Sequence, residues 1–186
     1  ILEKVLLFQE KKMNLKRKEK VTVIRKQIRV QQQKLMEEFL NQDTLTGLQN
    51  RRAFEQAIKR VKMNDNYCIL FADLNKLKFT NDTLGHDAGD ILIIQFANLF
   101  ALEFGTDKVY RISGDEFVAI LNKSKEEYEQ TLLKFRDEIH NNNDIACCGG
   151  FYGKDSDAYL SFKNAEKDLN IEKAKYYSRI GIERRK

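Results

Sequence analysis

The sequence has no proline, no tryptophan, two histidines and only three cysteines among 186 residues. Cys68, Cys147 and Cys148 are odd in number and match no zinc-ligand spacing, so neither a disulfide framework nor a zinc site is expected. This usage favours reduced thiols on buried strands of an intracellular protein. We therefore expect a cytoplasmic location.

Long apolar runs are also absent. No run approaches the roughly 18–20 residues that a membrane-spanning helix requires, and charged residues make up 33% of the chain. The chain begins with Ile1 rather than methionine. We therefore expect the cytoplasmic part of a larger sensor protein, in which any membrane contact comes from an upstream segment.

Several catalytic motifs are missing from the chain. The patterns GxxxxGK[ST] and GxGxxG do not occur, so P-loop and dinucleotide-binding folds lack support. His86 and His140 have no partner at metal-ligand spacing, and no Ser-His-Asp arrangement is suggested. Acidic residues are the remaining candidates for catalysis.

Positive charge is concentrated in the first part of the chain. Residues 1–42 contain eleven Lys and Arg against five acids, whereas the net charge of the whole chain is only +5. The remainder is therefore close to neutral. Nucleic acid binding is not expected, because the basic residues belong to an extension rather than to a folded surface.

The first forty residues contain no glycine and no proline, and good helix formers dominate them. A seam of apolar residues at heptad-like spacing, interrupted by Gln31, predicts a short, imperfect coiled coil formed by Val21, Ile24, Ile28 and Leu35. The alternative is an amphipathic helix packed on its own domain. We favour self-association, and expect a helical extension at residues 1–42 followed by one domain at 43–186.

The rest of the chain alternates between strand and helix patterns. We predict helices at 51–61, 87–103, 125–140 and 158–180, and strands at 67–73, 108–112, 116–121 and 145–151. The order β-α-β-β-α-β predicts an α+β fold of the ferredoxin-like, palm type, with an antiparallel sheet and helices on one face.

Three carboxylates fall at strand ends that this fold brings together. Asp73 ends the first predicted strand, and Asp115 and Glu116 lie at the hairpin turn. Converging carboxylates repel one another and need a cation to stay ionised. Oxygen-only ligands favour Mg²⁺ or Mn²⁺, which suits phosphoryl transfer on a nucleotide.

A second polar cluster, residues 81–90, connects the first strand to a long helix. Asn81 can donate and accept hydrogen bonds, whereas Asp90 can only accept them. This pair suits guanine, which presents an N1–H, an exocyclic amine and acceptor atoms. The alternative is that Asp87 or Asp90 caps the helix.

Four motifs in order resemble the GGDEF-domain diguanylate cyclases from Asp43 to about Arg179. They are DTLTGLQNRR at 43–52, ND followed by GHDAGD within 81–90, SGDEF at 113–117, and AKYYSR at 174–179. The resemblance implies a cyclase that joins two GTP molecules into cyclic di-GMP.

The resemblance also implies a set of site residues. Asp73, Asp115 and the Leu74 carbonyl would bind Mg²⁺ or Mn²⁺, and Glu116 would bind a second metal or help to deprotonate the 3′-hydroxyl. Asn81 and Asp90 would bind guanine, and Asp90 argues for two guanines. The remaining implied substrate contacts are Lys78, Lys175 and Arg179 at the triphosphate, with Leu77 and Gly114 beside it.

Each subunit would hold one GTP, so the implied reaction needs a homodimer with facing half-sites, which the N-terminal helix could supply or regulate. One alternative is a degenerate GGDEF domain that binds GTP or a partner without turnover. A further alternative is an interaction module that uses the basic helix.

The chain departs from the family pattern at several positions. Ser113 replaces the first glycine of the signature, and Asn75 and Leu77 replace a frequent Asp and Phe. In the segment that corresponds to the inhibitory RxxD motif, Phe104 stands where the arginine is expected, which implies that product inhibition is lost. Glu172 replaces a usual tyrosine and Ser178 a usual glycine.

Overall fold

A computed structural model describes residues 2–62, 66–154 and 157–181. The chain divides into two compact units after Leu40. The first unit is one helix, α1 (Leu2–Leu40), which confirms the predicted long N-terminal helix. Its seam residues Val21, Ile24, Ile28 and Leu35 are 45–61% exposed. No helix in the described ranges is both long and apolar enough to cross a membrane.

The second unit is an α+β domain built on a five-stranded sheet. Its elements are β1 (Gln49–Asn50), α2 (Arg51–Ile58), β2 (Cys68–Leu74), α3 (Leu77–Leu84), α4 (His86–Phe104), β3 (Val109–Arg111), β4 (Glu116–Leu121), α5 (Lys125–Asn141), β5 (Ala146–Tyr152) and α6 (Ala158–Arg179). The strand order is β1-β3-β4-β2-β5. Only the short β1–β3 pairing is parallel among the described strand pairs, so the predicted fold class is confirmed.

The prediction that helices cover one face of the sheet was wrong. Leu70 and Ala72 of β2 belong to one buried cluster, whereas Ile69 and Phe71 belong to another on the opposite face. Helices α4 and α5 cover the first face, and α2 and α6 cover the second. The continuous apolar run of β2 is typical of a strand buried on both sides, since one solvated face would require alternating polar residues.

Two elements escaped the sequence prediction. Strand β1 is only two residues long, too short for a periodic pattern. Helix α3 contains Thr80, Asn81, Asp82 and Thr83, all poor helix formers. It follows Lys76, which has a left-handed backbone with φ of 59°, and ends at Gly85. Its position directly after β2 brings a helix beside the predicted catalytic strand end.

Gly149 on β5 determines how closely α6 lies against the sheet. A Cβ at this position would lie 2.0 Å from the backbone nitrogen of Leu169 and 2.6 Å from the carbonyl oxygen of Ala165. The helix backbone therefore packs directly on the strand. One turn beyond Leu169, α6 reaches the neighbourhood of Cys147, which pairs with Asp73 of β2.

Gly149→Ala is expected to destabilise the domain, because the added methyl group meets backbone atoms that cannot rotate away. We expect a loss of roughly 1–3 kcal/mol and a fall in Tm of roughly 3–10 °C in thermal unfolding. Gly114→Ala is the control, since a Cβ there meets no atom within 4 Å. Equal Tm values for the two variants would contradict this packing.

Candidate active site

The structure brings the three predicted carboxylates to one edge of the sheet. Asp73 of β2 lies directly opposite Glu116 of β4 in the antiparallel register. The backbone N–H of Leu74 donates to the carbonyl oxygen of Asp115 at 2.9 Å, which holds the hairpin turn beside the end of β2. The predicted neighbourhood of Asp73, Asp115 and Glu116 is therefore observed.

Burial and mutual repulsion perturb these acids. Burial raises the pKa of Asp73 to about 6; Asp115 and Glu116 add to the rise, and Lys173 opposes it. Burial and the nearby Asp115 likewise raise the pKa of Glu116. The site thus concentrates negative charge in a partly desolvated place, the electrostatic condition under which carboxylates bind cations.

Lys173 is the cation that the structure places on this cluster, and the sequence prediction missed it. Its Nζ lies 2.6 Å from Oδ2 of Asp73, and the two side chains are only 16% and 10% exposed. Helical spacing could have indicated the face but not the partner, because Lys173 lies four residues after Leu169 and three before Tyr176, both buried.

Lys175 and Arg179, the predicted phosphate-binding residues of α6, pair with acids other than Asp73. Lys175 pairs with Glu172 at 2.7 Å, and Arg179 pairs with Asp144 at 2.7 Å. A step of two residues turns a helix by about 200°, so Lys175 cannot share the direction of Lys173. The structure therefore places Lys173, rather than Lys175, on Asp73.

The N-terminal turn of α3 carries two further predicted substrate residues. Lys78 is exposed there, whereas Leu77 is half-buried and packs against the core. Lys76, which precedes them, makes no side-chain hydrogen bond that caps the helix. Backbone N–H groups at such a helix start suit phosphate oxygens.

Arg111 connects the SGDEF turn at 113–117 to the motif that begins at Asp43. Its Nε and Nη2 atoms donate to the Gly114 carbonyl at 3.2 and 2.8 Å, and its Nη1 donates to Asp43 at 3.0 Å. Burial tends to raise the pKa of Asp43, but hydrogen bonds from Thr46 and Arg111 lower it overall. Asp43 therefore stays ionised and holds the turn in place.

Ser113 fits the signature turn without left-handed strain. In the described part of the chain, the non-glycine residues with positive φ are Lys76, Asn143 and Asp144. Ser113 is exposed and is not among them. The departure from glycine is therefore compatible with the backbone of this turn.

Asn81 presents an unused hydrogen-bond acceptor. Its Oδ1 is buried and has no hydrogen-bond donor among the residues that the structure describes. The side chain lies over Gly89, where a Cβ would come within 1.8 Å of that oxygen. Asp90 follows on the exposed surface of α4. A buried acceptor without a donor is costly unless a ligand satisfies it.

Asn75 has a structural role at this edge. Its Nδ2 donates to the Asp144 carbonyl at 2.8 Å, and the Cys147 thiol donates to its Oδ1 at 3.4 Å. The amide therefore ties the segment after β2 to the start of β5. An amide suits this position because it needs both a donor and an acceptor.

Phe104 is part of the core. Its ring packs edge-on against Phe100 and Phe135, with centroids 5.0 and 4.8 Å away, and only 6% of the residue is exposed. The position that would carry the arginine of an inhibitory motif therefore points inward in this chain.

The donor set fits a metal that arrives with a substrate. Within the described ranges, no group of three or more His, Cys, Asp or Glu side chains is arranged to hold a metal ion. Mg²⁺ usually takes one or two carboxylates, with water and substrate phosphates completing its shell. Asp73 and Glu116, facing each other across the sheet, match that requirement.

The raised pKa of Asp73 predicts a pH dependence of stability. The folded chain keeps this proton up to about pH 6, whereas a free carboxyl releases it near 3.8, so stability falls as pH rises through that window. The effect is of the order of 3 kcal/mol for this buried group. Glu116 acts in the same direction. In calorimetry with EDTA, we expect the unmodified protein to lose more stability between pH 4.5 and 7 than the Asp73→Asn variant loses. If stability falls equally with pH in both proteins, Asp73 does not have the raised pKa.

Residues 40–149, more than half of the chain, match the family model described as diguanylate cyclase, GGDEF domain. Diguanylate cyclase DgcN of Escherichia coli K12 is 41% identical over 93 residues, which cover 47% of this chain and 22% of DgcN. Diguanylate cyclase DgcS of Shewanella oneidensis is 34% identical over 85 residues, or 42% of this chain and 29% of DgcS. The chain thus spans less than a third of these relatives.

The fold resembles that of diguanylate cyclase SiaD from Pseudomonas aeruginosa, solved in complex with its activator SiaC. The TM-score is 0.70 at 21% identity, with 93% of this chain and 74% of that chain covered. At this identity the likeness shows the fold alone.

Proposed function

The chain belongs to the GGDEF family of diguanylate cyclase domains, and on this basis we propose that it condenses two GTP molecules into cyclic di-GMP with release of pyrophosphate. The observation that supports this most is that Asp73 lies opposite Glu116 at one sheet edge, with the Asp115 backbone hydrogen-bonded beside them to Leu74. In the same domain, Asn81 offers a buried acceptor without a donor.

We propose that Asp73, Asp115, Glu116 and the Leu74 carbonyl hold Mg²⁺ or Mn²⁺ together with the nucleotide. When bound, the metal supplies charge neutralisation at the phosphates and a lower pKa for an attacking oxygen. The exposed Lys78, together with Lys175 and Arg179, provides further positive charge for the triphosphate. The exposed backbone of Gly114 leaves room beside the turn.

Glu116 is the proposed proton acceptor. The pKa of its carboxyl group is raised towards neutral pH, and a general base works best when its pKa lies near the working pH. The 3′-oxygen of one GTP attacks the α-phosphorus of the other, the bond to the β-phosphate breaks, and pyrophosphate leaves. The 3′-hydroxyl proton passes to Glu116. The same step, repeated in the opposite direction, closes the ring.

Asn81 and Asp90 form the proposed guanine site. The Oδ1 of Asn81 accepts from the base, and the carboxylate of Asp90 accepts from the N1–H and the exocyclic amine. Gly89 makes room for Asn81, since a Cβ on Gly89 would overlap the Asn81 amide and would lie 3.3 Å from Cδ1 of Leu77.

Two copies of the chain are needed, because each subunit is proposed to hold one GTP and the two sites must face each other. The exposed seam of α1, defined by Val21, Ile24, Ile28 and Leu35, favours self-association of the helix as a coiled coil. The N-terminal helix would then raise the effective concentration of the second half-site.

We further propose that inhibition by product through the RxxD position is lost. Phe104 contributes a buried ring to the core instead of an exposed guanidinium. Added cyclic di-GMP is therefore expected to inhibit only weakly.

The proposal is tested by incubating purified protein with GTP and Mg²⁺ and separating the products by chromatography. Cyclic di-GMP is expected. At low protein concentration, a variant that lacks residues 1–40 should form it more slowly per protein molecule than the unmodified protein does. Bound GTP without product at high protein concentration would overturn the cyclase proposal and favour a nucleotide-binding signalling module.

A further inference from the structure

The contact between Lys173 and Asp73 occupies the carboxylate that the proposed metal needs. Nζ lies 2.6 Å from Oδ2, which is the distance of a strong charge-assisted hydrogen bond. Both partners are largely buried, so water screens the pair weakly. A divalent cation that approaches Asp73 must therefore compete with an ammonium group already in place.

Packing of α6 against β5 fixes the backbone position of Lys173. Because Gly149 lets the backbone of α6 rest on β5, the helix cannot carry Lys173 away without losing that packing. The long flexible side chain of lysine is the part that is free to move. Its ammonium group can pass from a carboxylate oxygen to a phosphate oxygen by rotation about side-chain bonds.

We propose that Lys173 is a resident counter-ion for Asp73, which it releases when a metal–nucleoside triphosphate complex arrives. This inference rests on the proposed function, since it assigns Asp73 to the metal. In the free protein, Lys173 neutralises Asp73 and keeps affinity for free divalent cations low. Triphosphate oxygens then provide a new partner for the ammonium group, so metal and nucleotide bind together.

The test measures Mn²⁺ binding without nucleotide, by electron paramagnetic resonance, and needs no turnover. Lys173→Met removes the competing charge while keeping an unbranched side chain. We expect it to bind free Mn²⁺ about tenfold more tightly than the unmodified protein, and to bind GTP more weakly in EDTA. Lys167→Met is the matched control on α6, since Lys167 is exposed, and should leave Mn²⁺ binding unchanged.

Asp73→Asn in the Lys173→Met background locates the effect, because the gain in Mn²⁺ affinity should disappear. If Lys173→Met fails to fold, Lys173→Gln provides a second neutral variant with the same expectation. Unchanged or weaker Mn²⁺ binding in a folded neutral variant overturns the counter-ion role. If the unmodified protein makes no cyclic di-GMP but Lys173→Met shows the expected gain in Mn²⁺ affinity, the cyclase proposal is refuted and the counter-ion role of Lys173 is retained.

Discussion

Glu116→Gln is expected to reduce cyclic di-GMP formation by about 10³-fold or more, because the amide can neither accept the 3′-hydroxyl proton nor contribute a charge to the metal. The fold should remain intact. Glu116 faces Asp73 across the sheet, and both acids have raised pKa values. Removing one negative charge therefore relieves repulsion, and we expect Tm at neutral pH to stay the same or rise.

The measurement combines initial rates at saturating GTP and Mg²⁺ with thermal unfolding. Glu129→Gln is a suitable control, since Glu129 is exposed on α5 and pairs with Lys125 along the helix. Its rate should match that of the unmodified protein. A Glu116→Gln variant with comparable product formation would remove this carboxylate from the mechanism.

Asn81→Leu is expected to lower kcat/KM for GTP by about 10²-fold or more, since a site that hydrogen-bonds its substrate loses most when that partner is removed. Stability should not fall. The Oδ1 atom is already buried and has no donor within the described residues, so an apolar side chain of similar size removes an unsatisfied group. Opposite effects on activity and Tm separate a binding residue from a structural one.

GTP affinity and cyclase kinetics are measured together with thermal unfolding. Asn122→Leu on the exposed loop before α5 serves as the control, and should change neither GTP binding nor turnover. A large fall in Tm for Asn81→Leu, with kcat/KM reduced only in proportion to unfolded protein, would show that Asn81 supports the fold rather than the guanine.

The clustering of Asp73, Asp115 and Glu116 was predictable because these residues lie at the ends of periodic segments. The apolar run before Asp73 and the turn at Asp115 and Glu116 are local patterns, and the hairpin of β3 and β4 follows from them. Lys173 was not predicted because its partner lies one hundred residues earlier in the chain. The contact of Lys173 with Asp73 depends on the packing of α6 against the sheet, which no short sequence motif specifies.

The sequence alone also determined the long helix at α1, since forty residues without glycine or proline favour no other regular structure. It determined the α+β order and the four motifs, because these depend on residue types at short spacing. Only the tertiary structure decided that helices cover both faces of the sheet, that Phe104 lies in the core, and that Lys173 reaches Asp73. The physical reason is the same in each case: long-range packing, such as α6 resting on Gly149, selects which side chains meet.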